Sequence, residues 1–193
     1  MRLQIIILSL LIGCNVPSVT PDHVLIYGHG GLGFDNLNAT YPPNTVGAMK
    51  HALGFYDLDG IEVDIQFTQE GEMVVFHDTH LESKTQCKGR VNTLKISEVE
   101  GCNYRGQFYN NFSEQVISFD SLISLANTHW QNKYLSLNVQ AHFKLDITVD
   151  KLAQLFAQKL YKFNSIDHIT TECSDANFLY YLKENLNVAS CLL

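Results

Sequence analysis

The hydrophobic pattern of the chain alternates between short apolar runs and longer stretches in which apolar residues recur at helical spacing. Short apolar runs bounded by turn residues favour strands that are covered on both faces, as in parallel sheets. Six runs predict strands: Val24–Tyr27, Gly60–Thr68, Met73–His77, Tyr134–Gln140, His168–Cys173 and Val188–Leu193.

Helices are predicted between most of these strands, and polar residues at their starts predict the N-caps. The stretch from Leu81 to Val116 is predicted to be a long irregular connection. The predicted helices are residues 45–55 with Asn44 or Thr45 as the cap, a helix capped by Asp120, an amphipathic helix capped by Asp150, and Asp175–Glu184.

The repeated strand–helix order favours parallel βαβ units in a single α/β domain over residues 24–193. The expected fold is a TIM-barrel-like (β/α)8 arrangement, in which the carboxyl ends of the strands carry the active site. A complete barrel has eight strands and typically about 250 residues, whereas only six strands are predicted here. An incomplete barrel has unpaired edges, so a truncated product, an open variant and closure by oligomerisation are the alternatives.

The N-terminal residues predict export. Arg2 precedes an apolar run, Ile5–Ile12, that is too short to span a bilayer and fits the hydrophobic region of a signal peptide. The run ends in Leu11-Ile12-Gly13-Cys14, which resembles the lipobox of bacterial lipoproteins. An ordinary buried segment with a chance cysteine is the alternative.

The lipobox resemblance implies a signal peptide over residues 1–13, cleavage before Cys14 and a lipid on its sulfur. Residues 14–23 are then a short tether between the lipid and the domain. We therefore expect a membrane-anchored protein of the bacterial cell envelope. Asn15 after the cysteine favours the outer membrane.

The charge balance of the chain is acidic. It contains 13 Lys and Arg against 20 Asp and Glu, and loss of residues 1–13 would remove Arg2, leaving 12 against 20 and a net charge of −8. A surface of this sign argues against nucleic acid as a partner, because nucleic acids are bound through positive charge. It is compatible with the binding of cations.

Four cysteines follow Cys14, and cysteines of an exported protein can pair. Cys87 and Cys102 are the favoured couple, because both lie in the same connection containing Gly and Asn. Free buried thiols are the alternative for all four.

Acidic and imidazole side chains lie at the ends of three consecutive predicted strands. His29 closes the first, Glu62 and Asp64 stand two apart in the second, and His77-Asp78 ends the third. Residues two apart in a strand share a face, so the two carboxylates converge. Hard oxygen ligands suit Mg²⁺ or Ca²⁺, and flanking histidines can exchange protons in phosphodiester cleavage. Alternatively, the acids mark the solvated face of a half-buried strand.

These motifs resemble the glycerophosphodiester phosphodiesterases, which share their barrel with bacterial phosphatidylinositol-specific phospholipases C. The resemblance runs from about Leu25 to the C-terminus and is strongest between His29 and Gly89. The matching segments are His29-Gly30, Pro43-Asn44-Thr45, Gly60-Ile61-Glu62-Val63-Asp64, Thr68 with Gly71, Val74 to Asp78, Leu81, and Thr85 to Gly89.

The resemblance implies His29 and His77 as the acid/base pair and Glu62 and Asp64 as metal ligands. It also implies attack on phosphorus by a substrate hydroxyl, with a glycerol phosphate and an alcohol as products. The further positions at which it implies substrate contacts are Gly30, Asn44, Asp78 and Gln140.

Four departures from the family pattern remove charge from this site. Gly30 stands in place of an Arg that binds phosphate, and Pro43 in place of a Glu. Asn138 and Gln140 replace a Glu and a Lys of the fourth strand, although the Asn138 carbonyl can still serve as a metal ligand. A register two residues later would instead place Gln140 and His142 at those two positions, and the first register is favoured.

Three functions are compatible with these residues. The first is a lipoprotein hydrolase that uses Mg²⁺ or Ca²⁺ to cleave small glycerophosphodiesters or phospholipid head groups. The second is a binding or scaffold lipoprotein of the same fold with little or no turnover, which the departures favour. The third is a phospholipase C acting on an inositol lipid, which would use the same two histidines.

Overall fold

The computed structural model describes residues 24–33, 40–105, 113–141, 146–186 and 190–192, with only the backbone described for 185, 186 and 190–192. The expected signal peptide, the tether and the lipidation site at Cys14 lie outside the described residues and stay predictions. Within the described residues, no helix has the length and apolar character needed to cross a membrane.

Seven strands of the described residues form one mixed sheet. A parallel series β1-β2-β5-β6-β7 makes up most of it, while β3 is antiparallel to the end of β2 and β4 is antiparallel to β3. The architecture is therefore an open, TIM-barrel-like α/β sheet. The strands are β1 Tyr27–His29, β2 Gly60–Phe67, β3 Met73–Val75, β4 Ile117–Ser118, β5 Tyr134–Val139, β6 Ile169–Cys173 and β7 Ser190–Leu192.

Helices cover the apolar face of this sheet. Ile61, Val63 and Ile65 of β2 are fully buried in a core shared with aromatic rings of the longer helices. The rings of Phe119 and Phe156 stack with centroids 5.6 Å apart. The helices are α1 Val46–Lys50, which continues into a π-helical turn over His51–Phe55, α2 Ile96–Val99, α3 Phe119–His129, α4 Val149–Leu160 and α5 Ala176–Leu186.

The first strand begins later than the apolar pattern predicts. β1 starts at Tyr27, and Val24, Leu25 and Ile26 are exposed in the described structure. The Ile26 N–H donates to the Asp59 carboxylate at 2.8 Å, and its carbonyl accepts from the Asp59 and Gly60 N–H groups at 3.1 and 3.3 Å, so only the last residue of this segment is tied to the start of β2. Hydrophobicity alone therefore placed the strand too early.

Hydroxyl residues, and not the predicted aspartates, cap two of the helices. Ser118 accepts from the Ser121 N–H at 3.3 Å at the start of α3, and Thr148 accepts from the Lys151 N–H at 3.3 Å at the start of α4. Each hydroxyl lies two residues before the predicted cap, where a side-chain oxygen reaches the third helical N–H. Asp120 lies instead in the first turn of α3 and pairs with lysines of α4 and the turn after it.

The turn between β2 and β3 overturns the expectation of an all-parallel order. Five residues join these strands, too few for a crossover to a parallel neighbour. Gly71 adopts φ +80°, and the Thr68 N–H donates to the Glu72 carbonyl at 2.8 Å, which closes a hairpin. Because β3 runs backwards, its end returns to the middle of β2, where the Phe76 N–H donates to the Asp64 carbonyl at 3.0 Å.

The connection predicted to be irregular contains α2, two single helical turns and the predicted disulfide. Cys87 and Cys102 are bonded and enclose a second small core with Phe76 and Leu81. Cys173 is a free, buried thiol, and burial raises its pKa to about 11.

Candidate active site

The turn after β1 brings backbone and an imidazole against Glu62. His29 pairs with Glu62 across the β1–β2 ladder, and its Nε2 lies 3.6 Å from the Glu62 Oε2. Gly30 adopts φ +58° and donates its N–H to the same oxygen at 3.0 Å. Gly31 follows at φ +91°, where an added Cβ would lie 2.9 Å from the Ala48 carbonyl carbon. Only glycine permits this close packing of the turn on α1.

Glu62 and Asp64 share the face of β2 opposite to the apolar core, but neither is solvated. Glu62 is 9% exposed and Asp64 is fully buried, so the alternative of a solvated strand face is wrong. Burial and the charge of Asp64 raise the pKa of Glu62 to about 7. Hydrogen bonds from the Gly30 N–H and the Asn138 amide lower this pKa but only partly offset the rise. The Glu62 Oε1 is buried without a hydrogen-bond partner. A proton or a cation would relieve the cost of this orphaned oxygen.

Two amide side chains hold Asp64. The Asn44 Nδ2 donates to its Oδ2 at 2.7 Å, and the Gln140 Nε2 donates to its Oδ1 at 2.6 Å. Asn44 also accepts from the Asp64 N–H at 3.0 Å. Burial raises the pKa of Asp64, and these two amides together with the histidines oppose the rise. Asn44 and Gln140, expected as substrate contacts, thus contact Asp64 itself.

Asn138 lies beside the two carboxylates. The β2–β5 ladder pairs Asp64 with Asn138 and Glu62 with Ser136, so all four side chains share one face of the sheet. This position agrees with the favoured register of the fourth predicted strand. The other register requires His142, which lies outside the described residues.

His77 and Asp78 form a dyad near Asp64. The His77 Nδ1 lies 2.7 Å from the Asp78 Oδ1, and the ring of His77 is half exposed. Burial raises the pKa of Asp78, but the hydrogen bond with His77, aided by Ser83 and Lys84, outweighs it and leaves that pKa below its usual value. An ionised Asp78 accepts the Nδ1 proton, which leaves the His77 Nε2 available to a substrate.

Gln66 positions this dyad and was not predicted from the sequence. Its Nε2 lies 2.9, 2.9 and 2.8 Å from the carbonyl oxygens of Phe76, His77 and Asp78, and the residue is 2% exposed. The signal was its spacing, since Gln66 stands two residues after Asp64 on the same face of an otherwise apolar strand.

A small, partly open groove lies beside the dyad. Its lining includes Asn44, His77, Asp78, Lys84 and Tyr104. Lys84 and Tyr104 were also missed, because they come from the connection predicted to be irregular. Burial raises the pKa of Tyr104, so its hydroxyl stays protonated.

The donor set at this site fits a hard divalent cation. Glu62 and Asp64 would provide carboxylate oxygens, and Asn138 an amide oxygen. Mg²⁺ is usually bound by only a few protein ligands, and waters and substrate phosphates complete its coordination. The orphaned Glu62 Oε1 agrees with that fit. Within the described residues, however, no group of three or more His, Cys, Asp or Glu is arranged to hold a metal ion. Asn138 is therefore essential to any such site.

Two curated bacterial proteins are similar to part of this chain. The glycerophosphodiester phosphodiesterase of Bacillus altitudinis is 36% identical over 90 residues, covering 47% of this chain and 33% of that protein. The glycerophosphodiester phosphodiesterase of Caldanaerobacter subterraneus is 32% identical over 93 residues, covering 48% and 36%. The matched region thus spans about a third of each relative's length.

Solved structures with the same fold include two bacterial phosphodiesterases. A putative glycerophosphoryl diester phosphodiesterase from Silicibacter pomeroyi has a TM-score of 0.73 at 17% identity, covering 89% of this chain and 65% of that one. An Oleispira antarctica phosphodiesterase in complex with the product sn-glycerol-3-phosphate has a TM-score of 0.68 at 16% identity, covering 86% and 64%. These likenesses show the barrel-like fold and its shorter extent here.

The sequence model of the Glycerophosphoryl diester phosphodiesterase family matches residues 37–192, which is well over half of the chain. This match includes the acidic pair and the His77-Asp78 dyad, and it agrees with the motif resemblance found in the sequence. The chain belongs to the Glycerophosphoryl diester phosphodiesterase family.

Proposed function

We propose that this chain is a metal-dependent phosphodiesterase that hydrolyses glycerophosphodiesters to glycerol phosphate and an alcohol. The observation that carries the proposal is that both histidines lie at the buried acid pair: the His29 Nε2 is 3.6 Å from the Glu62 carboxylate, and His77 directly follows Phe76, whose N–H donates to the Asp64 carbonyl. Family membership and the names of the relatives support the same reaction. The product in the Oleispira antarctica structure supports a small glycerophosphodiester as the substrate.

Glu62, Asp64 and the carbonyl of Asn138 are the residues that would hold Mg²⁺ or Ca²⁺. The bound cation would neutralise the oxyanions of the phosphodiester. Asn44 and Gln140 fix the Asp64 carboxylate through both of its oxygens. The Gly30 N–H orients Glu62, so the charge and the geometry of both acids are set by backbone and amide donors.

The two histidines would move the protons. With Nδ1 bonded to Asp78, the His77 Nε2 accepts the proton of the attacking hydroxyl as the new P–O bond forms. His29, beside the Glu62 carboxylate, donates a proton to the alcohol oxygen as the old P–O bond breaks. If a substrate hydroxyl attacks first, water then opens the cyclic product with the two roles exchanged.

The site of action is also part of the proposal. We infer from the lipobox-like Leu11-Ile12-Gly13-Cys14 that a lipidated Cys14 anchors the domain to the bacterial cell envelope, at the outer membrane. Metabolic labelling with a fatty acid tests this anchor. A Cys14→Ser variant should lose both the label and its sedimentation with membranes, and a variant that keeps both would contradict it.

The activity is tested by incubating the full chain with glycerophosphocholine and Mg²⁺ or Ca²⁺, with glycerol phosphate and choline measured separately. We expect both products in equal amounts and their loss in chelator. Activity fully retained in chelator, with cleavage of an inositol lipid, would support the phospholipase C alternative. Metal binding with no product at high protein concentration would refute turnover.

A binding protein without turnover is a second candidate that specific residues favour. Gly30 and Gln140 carry no charge where the family pattern has Arg and Lys, so two positive charges of the site are absent. Restoring the two positive charges distinguishes a hydrolase from a binding protein without turnover. The Gly30→Arg, Gln140→Lys double variant should hydrolyse substrate that the native chain only binds, if the second candidate is right.

A further inference from the structure

We propose that Lys84 binds the phosphate of the substrate in the groove beside His77, and thereby supplies positive charge that Gly30 and Gln140 do not. This inference rests on the proposed function and deepens it. The lining of the groove includes Pro43, Asn44, His77, Asp78, Lys84 and Tyr104.

The charges around the groove favour a cationic contact to the phosphate. A phosphodiester is an anion, and the described site already contains the carboxyl groups of Glu62, Asp64 and Asp78. A divalent cation offsets only part of that negative charge. Of the described residues that line the groove, Lys84 is the one with a permanent positive charge.

Lys84 lies close to the dyad formed by His77 and Asp78. Lys84 is half-buried and close enough to help lower the pKa of Asp78, the hydrogen-bond partner of His77. An ammonium in such a place is screened less by solvent than one on the open surface. A phosphate oxygen held by Lys84 would therefore lie next to the imidazole that is proposed to accept the proton.

The backbone around Lys84 is fixed before any substrate binds. The Lys84 carbonyl accepts from the Arg105 N–H at 2.8 Å, and the next residue, Thr85, bridges to Tyr104. The Cys87–Cys102 disulfide closes the same pair of segments. The loop is thus held against the groove, which reduces the ordering that binding would otherwise require.

Pro43, another residue of the groove lining, agrees with an anionic ligand. Pro43 lines the groove at the position where the family pattern has a Glu. A neutral ring there removes a negative charge that would repel the phosphate. The departures at Pro43 and Gly30 are then parts of one changed arrangement, in which the phosphate contact moves to Lys84.

The test measures binding of sn-glycerol 3-phosphate and of inorganic phosphate to the full chain by calorimetry, in the presence of Mg²⁺. Lys84→Met should weaken binding of both about tenfold or more, the effect of losing a hydrogen bond to a charged group. Lys84→Arg should stay within about threefold of native, because it keeps the charge. Lys88→Met, an exposed lysine of the same loop, is the matched control and should change binding by less than about twofold.

Native binding by Lys84→Met would overturn the proposal, as would an equal loss in Lys88→Met. Lys84→Gln is a second variant that removes the same charge. Both variants should unfold at the native temperature, which shows that weaker binding comes from the lost charge and not from a changed fold. Binding that depends on Lys84 in a chain that hydrolyses nothing would refute the proposed activity and keep the phosphate site. Hydrolysis with an unchanged KM in Lys84→Met would refute the phosphate site and keep the activity.

Discussion

Glu62 is a buried carboxyl group with one oxygen that no donor satisfies. In the folded chain its pKa is raised from 4.5 to about 7, chiefly by burial and then by the charge of Asp64. Ionisation between these two pH values therefore costs the folded state more than the unfolded state. A bound cation would stabilise the ionised form of Glu62. The raised pKa of Glu62 in the free protein and its proposed role as a metal ligand therefore have the same cause, its burial.

The first prediction is a pH dependence of stability in the absence of metal. The free energy of unfolding should fall as the pH rises from about 4.5 to 7 and level off above it, by up to about 3 kcal/mol from this residue. Glu62→Gln should remove that part of the dependence. Urea unfolding across this pH range measures it, with the exposed Glu184→Gln as the matched control. Parallel curves for native and Glu62→Gln chains would contradict the assignment.

Replacement of Gln66 should disturb the position of His77 without weakening the binding of substrate. Gln66→Leu leaves the carbonyls of the dyad segment without their amide donor, which should cost about 1–3 kcal/mol of stability. It should lower kcat about tenfold or more with little change in KM, because His77 shifts while the metal ligands stay. Gln131→Leu, an exposed amide on another element, should change neither quantity. An unchanged kcat in Gln66→Leu would show that the dyad needs no such support.

At the scale of elements, the disulfide-linked connection after β3 forms one wall of the groove. Closing a loop of 15 residues with a disulfide stabilises a fold by about 3 kcal/mol in the chain-entropy description. Reduction should therefore lower the urea midpoint and also weaken binding of sn-glycerol 3-phosphate, since Lys84 lies three residues before Cys87 in the same connection. The Cys87→Ser, Cys102→Ser double variant should behave like the reduced chain and respond no further to reductant. A native chain that is indifferent to reductant in both measurements would contradict this role.

The sequence predicted the elements better than their directions and ends. The period of two in β2 correctly placed Glu62 and Asp64 on one face and the isoleucines on the other. The turn between β2 and β3 is too short for the parallel order that the overall pattern favoured. Thr45 caps α1 as predicted, whereas the caps of α3 and α4 were wrong because aspartates were chosen over hydroxyls placed two residues earlier.

Contacts between distant segments could not be predicted in the same way. Asn44 and Gln140 are 20 and 76 positions from Asp64, and only the folded sheet brings their amides to its two oxygens. Lys84 is likewise defined as a groove residue by the disulfide and the bridge to Tyr104, not by a motif. Motif resemblance supplied the proposed reacting groups, and the tertiary structure shows which residues contact them.

At the scale of the whole molecule, the sheet is open. Among the described residues, β4 and β7 end the main order of strands and β1 pairs with β2 alone, and the chain covers 65% and 64% of the two solved structures compared above. The acid pair and both histidines nevertheless come from the first half of the chain, on β1, β2 and the end of β3. The proposed chemistry therefore depends on the part of the barrel that is present. Closure of the barrel by association of copies stays a prediction, which light scattering on the purified chain tests.

The most direct test of the account is the hydrolysis of glycerophosphocholine by His29→Ala and His77→Ala chains at saturating Mg²⁺ or Ca²⁺. Each substitution should lower kcat at least about a hundredfold, because each removes one partner of the acid/base pair. Metal-induced thermal stabilisation should persist, since Glu62, Asp64 and Asn138 are untouched. His129→Ala, an exposed histidine of α3, is the control and should keep native activity. Native rates of hydrolysis in either His29→Ala or His77→Ala would contradict the account.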